Sequence, residues 1–135
     1  MTSPDAKVIW HRLERAHETL EEGRLMAQTG HWHGCVNRLY YACFYAVTAL
    51  LLSRNLSSPK HTRVRSLFSL NFVKPGFFPR ELAALYNTLF DSRQEADYED
   101  FPPLDPEEIG IWLASTESFI RQAEELLDPS SPPHG

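Results

Sequence analysis

The sequence lacks the short motifs that mark the common nucleotide-dependent and hydrolytic enzymes. It contains no P-loop, no G-x-S-x-G nucleophile elbow and no glycine-rich dinucleotide motif. It has only two cysteines, Cys35 and Cys43, which on one helix would stand roughly 12 Å apart along the axis, too far for a disulfide. These absences exclude the parallel-sheet nucleotide-binding folds and a disulfide framework, and we expect two reduced, buried thiols.

Metal-ligand spacing and membrane-spanning runs are also missing. The segment HWHGC carries His31, His33 and Cys35, but positions two apart on a helix point to different faces, and no second His/Cys pair follows at ligand spacing. We therefore expect no metal and no cofactor. No uninterrupted apolar run reaches the roughly 18–20 residues needed to cross a bilayer. The beginning, MTSPDAKVIWHRLERAHE, is too polar for a secretory signal, so we expect a cytoplasmic protein without membrane contact.

Acidic residues are absent between Gly23 and Arg80, although the net charge of the chain is −5. Eight Lys and Arg residues lie in that stretch, whereas residues 81–135 hold 13 Asp and Glu against Arg93 and Arg121 alone. A chain polarised in this way can present a basic surface to a phosphate-bearing partner. It can also neutralise its own halves against each other, or pair opposite faces in a dimer. These alternatives stay open.

Apolar residues recur at helical spacing through most of the chain, and no stretch alternates with a period of two. We predict an all-α fold, a bundle of four or five helices, with a single domain over residues 1–128 and a flexible Pro/Ser-rich tail at 129–135. The second helix is apolar nearly all round, so we expect one side to face its own bundle and the other a neighbour or a second subunit. The predicted helices cover about 5–28, 31–54, 61–72 and 79–99, with a fifth that begins at Pro106 behind an Asp105 cap.

The segment DSRQEADYEDF places Arg93 among five carboxylates near the end of the predicted fourth helix. Arg93 follows Leu89 by four residues, so it continues the apolar stripe of that helix, and a half-buried guanidinium needs a partner. One interpretation is an ordinary helix pair with Asp97. The other is an arginine held near a phosphate or a scissile backbone, with Tyr98 as hydroxyl donor or acid/base group.

An amide on the second helix is a further candidate. Asn37 lies one turn before Tyr41, and a buried amide needs hydrogen-bond partners. Arg93 and Tyr98 are natural ones if the second and fourth helices pack together, so Asn37 and Tyr41 are candidate ligand contacts. A plain core amide is the alternative.

A basic segment, SPKHTRVR, begins the short third helix with Lys60, His61 and Arg63. Exposed backbone amides and the helix dipole favour anions at such a position. The segment is a candidate phosphate or RNA-backbone contact, and the alternative is a solvated basic turn.

Three segments together resemble the HEPN domain family (higher eukaryotes and prokaryotes nucleotide-binding). They are NRLYYACFYAVTALLLSRNL, KHTRVRSLFSLNFVKPGFFPRELAALYNTLFDSRQEADYEDF and the closing amphipathic helix, and the likeness spans about residues 8–126. The chain is most similar to small stand-alone prokaryotic members whose fourth helix ends in R-x-x-A-D-Y. The resemblance implies an antiparallel bundle that forms a homodimer through helices two and four. It also implies a minimal nucleotidyltransferase as partner in a toxin–antitoxin-like pair, and nucleotide or RNA rather than DNA as ligand.

The resemblance also bears on catalysis. Active HEPN ribonucleases carry R-x(4–6)-H and cleave RNA without metal, leaving a cyclic phosphate. Arg93 matches the motif's arginine, but Tyr98 stands where the motif has histidine, and a phenol with a pKa near 10 is a poorer general base at neutral pH. Three functions therefore stay open: a binding or regulatory module at an interfacial cleft, a ribonuclease that uses Arg93 with Tyr98 and Asp97 and with His61 as an additional candidate, and a purely structural dimer.

Overall fold

The computed structural model describes residues 4–96 and 104–128, and every regular element in these two ranges is helical. The predicted all-α bundle is confirmed. The predicted tail and the residues Asp97 and Tyr98 lie outside the described ranges, and dimerisation stays a prediction. The helices are α1 (Pro4–Gln28), α2 (Trp32–Leu52), α3 (His61–Phe68), α4 (Arg80–Ala96) and α5 (Pro106–Leu127), and α3 continues into a π-helical turn at Ser69–Val73.

Local chemistry sets the turns between the helices. Gly30 adopts a φ of 75° between α1 and α2, and Gly76 a φ of 90° after the π-helical turn, values that favour glycine. At the start of α5, the Asp105 side chain accepts a hydrogen bond from the Glu107 amide at 3.0 Å, and Pro106 occupies the first turn. The cap predicted for this helix is therefore confirmed.

Helix α2 is the centre of the bundle and contacts each of the other four α-helices. By length and composition alone it could cross a membrane, but 61% of its most apolar window is buried inside the bundle, as in the core helix of a globular domain. Cys35 and Cys43 are buried and free, as predicted, and burial raises the pKa of Cys35 to about 11. Both thiols are thus kept protonated in the core.

A cluster of aromatic rings joins α5 to the rest of the bundle. The Phe119 ring centroid lies 4.7 Å from that of Phe78, 5.9 Å from Phe68 and 6.1 Å from Tyr86. Tyr86 in turn stacks on Tyr40 of α2 at 5.9 Å. The core therefore extends without interruption to the part of α2 on which Arg93 rests.

Candidate functional site

Arg93, near the end of α4, lies across two tyrosines of α2. Its guanidinium carbon is 4.5 Å from the ring centroid of Tyr40 and 5.6 Å from that of Tyr41. Its Nη1 donates a long hydrogen bond of 3.4 Å to the Tyr41 hydroxyl. Its Nε is buried and has no hydrogen-bond partner among the residues that the structure describes. The guanidinium thus points inward, as the helical phase predicts, but contacts aromatic faces in the described part of the chain.

The described neighbours of Arg93 leave much of its hydrogen-bonding capacity unused. A guanidinium has five N–H donors. Aromatic faces attract the charge of Arg93, by about 0.5–2 kcal/mol each, but they do not replace oxygen acceptors. Carboxylate or phosphate oxygens accept such donors in pairs, with short charge-assisted bonds. The side chain is accordingly well placed to bind an anion.

His61, the first residue of α3, reaches the same two tyrosine rings from another direction. Its Nδ1 is 2.9 Å from the Tyr40 hydroxyl, and its ring stacks on Phe44 with centroids 4.4 Å apart. The Tyr41 ring meets it edge-on at 6.0 Å. The guanidinium of Arg93 on α4 and the imidazole of His61 on α3 therefore contact the same two tyrosine rings.

Burial and charge tune the two groups that share the 2.9 Å hydrogen bond. Burial, and then the positive charge of Arg93, lowers the pKa of His61 below its ordinary value. Burial raises the pKa of Tyr40 to about 12. At neutral pH the site therefore holds a neutral imidazole, which can accept a proton, beside a protonated phenol.

Replacing Arg93 by glutamine is expected to raise the pKa of His61 toward its ordinary value of 6.5, because one of the two causes that lower it is removed. NMR titration of the imidazole resonances measures this shift. The Arg121→Gln variant, which alters an exposed pair with Glu117, serves as control. An unchanged His61 titration in Arg93→Gln would contradict the assigned cause.

The same pKa shift has a consequence for stability. Because the folded-state pKa of His61 is depressed, the unfolded chain binds the proton first as the pH falls. The contribution of His61 to stability is therefore present above the unfolded-state pKa of about 6.5 and declines below it.

The other residues that the sequence predicted for the site are placed differently. Asn37 is half-buried one turn before Tyr41, and its Oδ1 accepts hydrogen bonds from Arg38 at 2.7 and 3.2 Å rather than from Arg93 as expected. Lys60 and Arg63 are exposed at the beginning of α3. The structure thus gathers Arg93, Tyr41 and His61, and leaves Lys60 and Arg63 facing solvent.

Sequence reasoning missed Tyr40 and Phe44 as parts of the site. Both belong to the apolar stripes of α2, and Tyr40 is fully buried, so periodicity identifies them only as core residues. Their contacts with His61 cross the loop between α2 and α3, and no local pattern indicates them. Helical phase places Tyr40 and Phe44 one turn apart, and this spacing is the one feature of the sequence that indicates that their side chains lie together on α2.

The described residues contain no group of three or more His, Cys, Asp or Glu side chains placed to hold a metal ion. In the HWHGC segment, Cys35 is buried whereas His31 and His33 are exposed, and the His31 Nδ1 lies 2.8 Å from the Thr29 hydroxyl. Among the described residues, the polar groups gathered at the site are a guanidinium, an imidazole and phenols.

Comparison with known proteins gives a consistent family assignment. A UPF0332 protein of Thermotoga maritima is 37% identical over 122 residues, which cover 90% of this chain and 92% of that protein. Two proteins of Methanocaldococcus jannaschii, both named as candidate toxins, are 30% and 31% identical and cover 85% and 86% of this chain, and 78% and 81% of their own lengths. The sequence model of the HEPN domain matches residues 9–126, which hold nearly all of the described helices, and the chain therefore belongs to the HEPN domain family.

Proposed function

We propose that this toxin-like HEPN protein binds the phosphate of RNA or of a nucleotide at Arg93. One observation carries the proposal: the half-buried guanidinium rests on two tyrosine rings, and among the described residues Nε has no hydrogen-bond partner and Nη1 has only a 3.4 Å contact with Tyr41. Leaving buried charged donors unsatisfied is unfavourable. A phosphate oxygen supplies the missing acceptors without displacing a competing group among the described contacts.

The distribution of charge supports a phosphate-bearing ligand. Lys60 and Arg63 are exposed beside His61, at the beginning of α3. They belong to the stretch from Gly23 to Arg80 that contains no acidic residue. Exposed cations of this kind contact successive phosphates of a backbone and make binding dependent on salt. Arg93 would then be the half-buried phosphate contact, and Lys60 and Arg63 the exposed ones.

Tyr41 of α2 and Arg93 of α4 are adjacent and only half-buried, and this supports a homodimer through α2 and α4. A second copy there would bring a second Arg93 to a shared cleft. That cleft is also the proposed contact for a minimal nucleotidyltransferase in a toxin–antitoxin-like pair. A neighbouring gene for a small nucleotidyltransferase would support this pairing, and its absence would count against it.

Titration of a labelled short single-stranded RNA, followed by fluorescence anisotropy, tests the phosphate site. We expect Arg93→Gln to weaken binding by about 10–100-fold, since hydrogen bonds to charged groups contribute roughly 1.5–3 kcal/mol. Arg121→Gln removes an exposed arginine and should leave the affinity unchanged. Equal affinity of wild type and Arg93→Gln would refute the site. Light scattering on the same samples should give twice the 15.5-kDa chain mass, and the chain mass alone would refute the dimer.

The position of His61 favours a second candidate function, a metal-independent endoribonuclease that uses Arg93 and His61, with Tyr98 from beyond the described residues. The neutral imidazole would take the proton of a ribose 2′-hydroxyl. The 2′-oxygen then bonds to the adjacent phosphorus, and the bond from phosphorus to the 5′-oxygen breaks. The products are a 2′,3′-cyclic phosphate and a 5′-hydroxyl that takes its proton from water, while Arg93 stabilises the charge on the phosphorane.

Incubating RNA with the protein and EDTA separates the two candidate functions. A ribonuclease should leave cyclic-phosphate ends, and His61→Gln should slow cleavage by about 10²–10⁴-fold without a similar loss of binding. Intact RNA in the presence of wild-type protein that binds it would exclude the ribonuclease and leave the phosphate site standing.

A further inference from the structure

A cavity of about 490 Å³ lies between α1, α2 and the segment that leads into α3. Its walls include the aromatic rings of Phe44 and Tyr45, and the arginines Arg12 and Arg15 stand on its α1 side. Ser57 lies in its wall on the segment before α3. Neither Asp nor Glu is among the residues that line it. The cavity therefore combines flat apolar walls with positive charge, and its volume is that of a small-ligand site.

The arginines of this cavity differ in how they are held. Arg15 forms an ion pair with Glu18 at 2.8 Å, and its guanidinium carbon lies 5.4 Å from the Tyr45 ring centroid. Arg12 donates only one long hydrogen bond, of 3.4 Å, to the Thr48 carbonyl, and it forms no ion pair within the described chain. Arg12 is therefore the cation of the cavity that is available to an anionic ligand.

The cavity adjoins the Arg93 site along α2. Phe44 lines the cavity and its ring stacks on that of His61, with centroids 4.4 Å apart, so this ring belongs both to the cavity and to the Arg93 site. Tyr45 also lines the cavity, and its ring is 6.4 Å from that of Tyr41, which contacts Arg93. A chain molecule bound at Arg93 can thus continue into the cavity over a row of aromatic side chains.

We propose that the cavity binds one unpaired base of a single-stranded RNA, with a phosphate of that nucleotide on Arg12 and another phosphate of the same strand at Arg93. The proposal rests on the phosphate site described under Proposed function. Aromatic rings beside cations are the usual means of binding unpaired nucleotides. Bases in a duplex are stacked and paired, so they cannot enter such a cavity.

The ligand chemistry, a base with its phosphate, could also come from a free nucleotide, so the experiment compares several probes. These are a short single-stranded RNA, the same strand without its bases, the matching duplex and adenosine monophosphate. Wild-type protein should bind the intact strand about tenfold or more above the baseless strand and the duplex. Adenosine monophosphate should bind much more weakly than the strand, because it cannot reach both sites.

Two variants address the cavity itself. Ser57→Trp should fill it from an exposed position, and Arg12→Gln removes its available charge. Each variant should lower the affinity for the intact strand about tenfold. Ser57→Trp should leave the baseless strand unaffected, and Arg121→Gln is the control. Thermal unfolding followed by circular dichroism verifies that each variant keeps the fold.

The outcomes separate this inference from the function on which it rests. Equal affinity for the intact and baseless strands, or an unchanged RNA affinity in Ser57→Trp, would overturn the base site. If Arg93→Gln still lowers the RNA affinity in that case, the phosphate site stands. A loss in Ser57→Trp with none in Arg93→Gln would instead contradict the phosphate site. Adenosine monophosphate binding as tightly as the strand would overturn the strand assignment and identify a free-nucleotide site.

Discussion

Replacing Tyr40 by alanine is expected to lower the free energy of unfolding by about 3–5 kcal/mol. The side chain is fully buried, so its removal leaves a cavity that the neighbouring helices can only partly fill. The ring also supports Arg93 at 4.5 Å and fixes His61 through the hydroxyl. Loss of stability should therefore be accompanied by weaker RNA binding. The Tyr40 ring contacts the rings of Tyr41, Phe44, His61, Tyr86 and Phe90.

Tyr40→Phe is the matched control, because it keeps the ring and removes only the hydroxyl that meets His61 at 2.9 Å. A single hydrogen bond contributes about 1 kcal/mol, so this variant should be much more stable than Tyr40→Ala. Urea unfolding followed by circular dichroism measures both. If the two variants were destabilised equally, packing of the ring would not be what holds the site together.

Phe119→Ala is expected to have a comparable effect, a loss of about 3–5 kcal/mol, at a place remote in sequence from the phosphate site. Phe119 is fully buried, and its ring joins α5 to Phe68, Phe78 and Tyr86. Ile111→Ala on the same helix should change stability by less than about 0.5 kcal/mol, because Ile111 is 65% exposed.

The two core variants should differ in function. Under conditions where Phe119→Ala remains folded, its RNA affinity should match wild type, because Phe119 makes no ring contact with the tyrosines that carry Arg93. A large loss of affinity in folded Phe119→Ala would mean that the site depends on the whole core rather than on α2 and α4.

Much of the fold follows from local pattern. The 3.6-residue period gave the five helices, and the phase of Leu89 and Arg93 on α4 gave the inward direction of the guanidinium. The third predicted helix, 61–72, was less regular than expected. It changes to a π-helical turn after Phe68, and that turn buries Phe72, whose carbonyl accepts a hydrogen bond from Phe78 at 2.9 Å. Such a change depends on packing with distant residues, which periodicity does not report.

The composition of the site was harder to predict than the fold. The hydrogen bond between Tyr40 and His61 spans 21 residues, so no motif spacing expresses it. The sequence offers Arg93 and Tyr98 as partners of Asn37, but the Asn37 oxygen accepts a hydrogen bond from the adjacent Arg38 side chain at 2.7 Å, and Tyr98 lies outside the described residues. Local side-chain partners of this kind are available to every polar residue on a helix, and only three-dimensional structure decides between them.

Because Arg93 and His61 contact the same two tyrosine rings and Arg93 lowers the pKa of His61, binding of the proposed ligand is also coupled to proton binding. An anion on Arg93 would offset the positive charge that helps to lower the pKa of His61, so binding should be accompanied by proton uptake at that imidazole. Because such coupling is reciprocal, protonation of His61 must strengthen anion binding by the same factor. Mild acidification should thus raise the affinity for phosphate. It should also reduce the population of the neutral imidazole that would accept a proton. Binding and cleavage of RNA should therefore have opposite pH dependences.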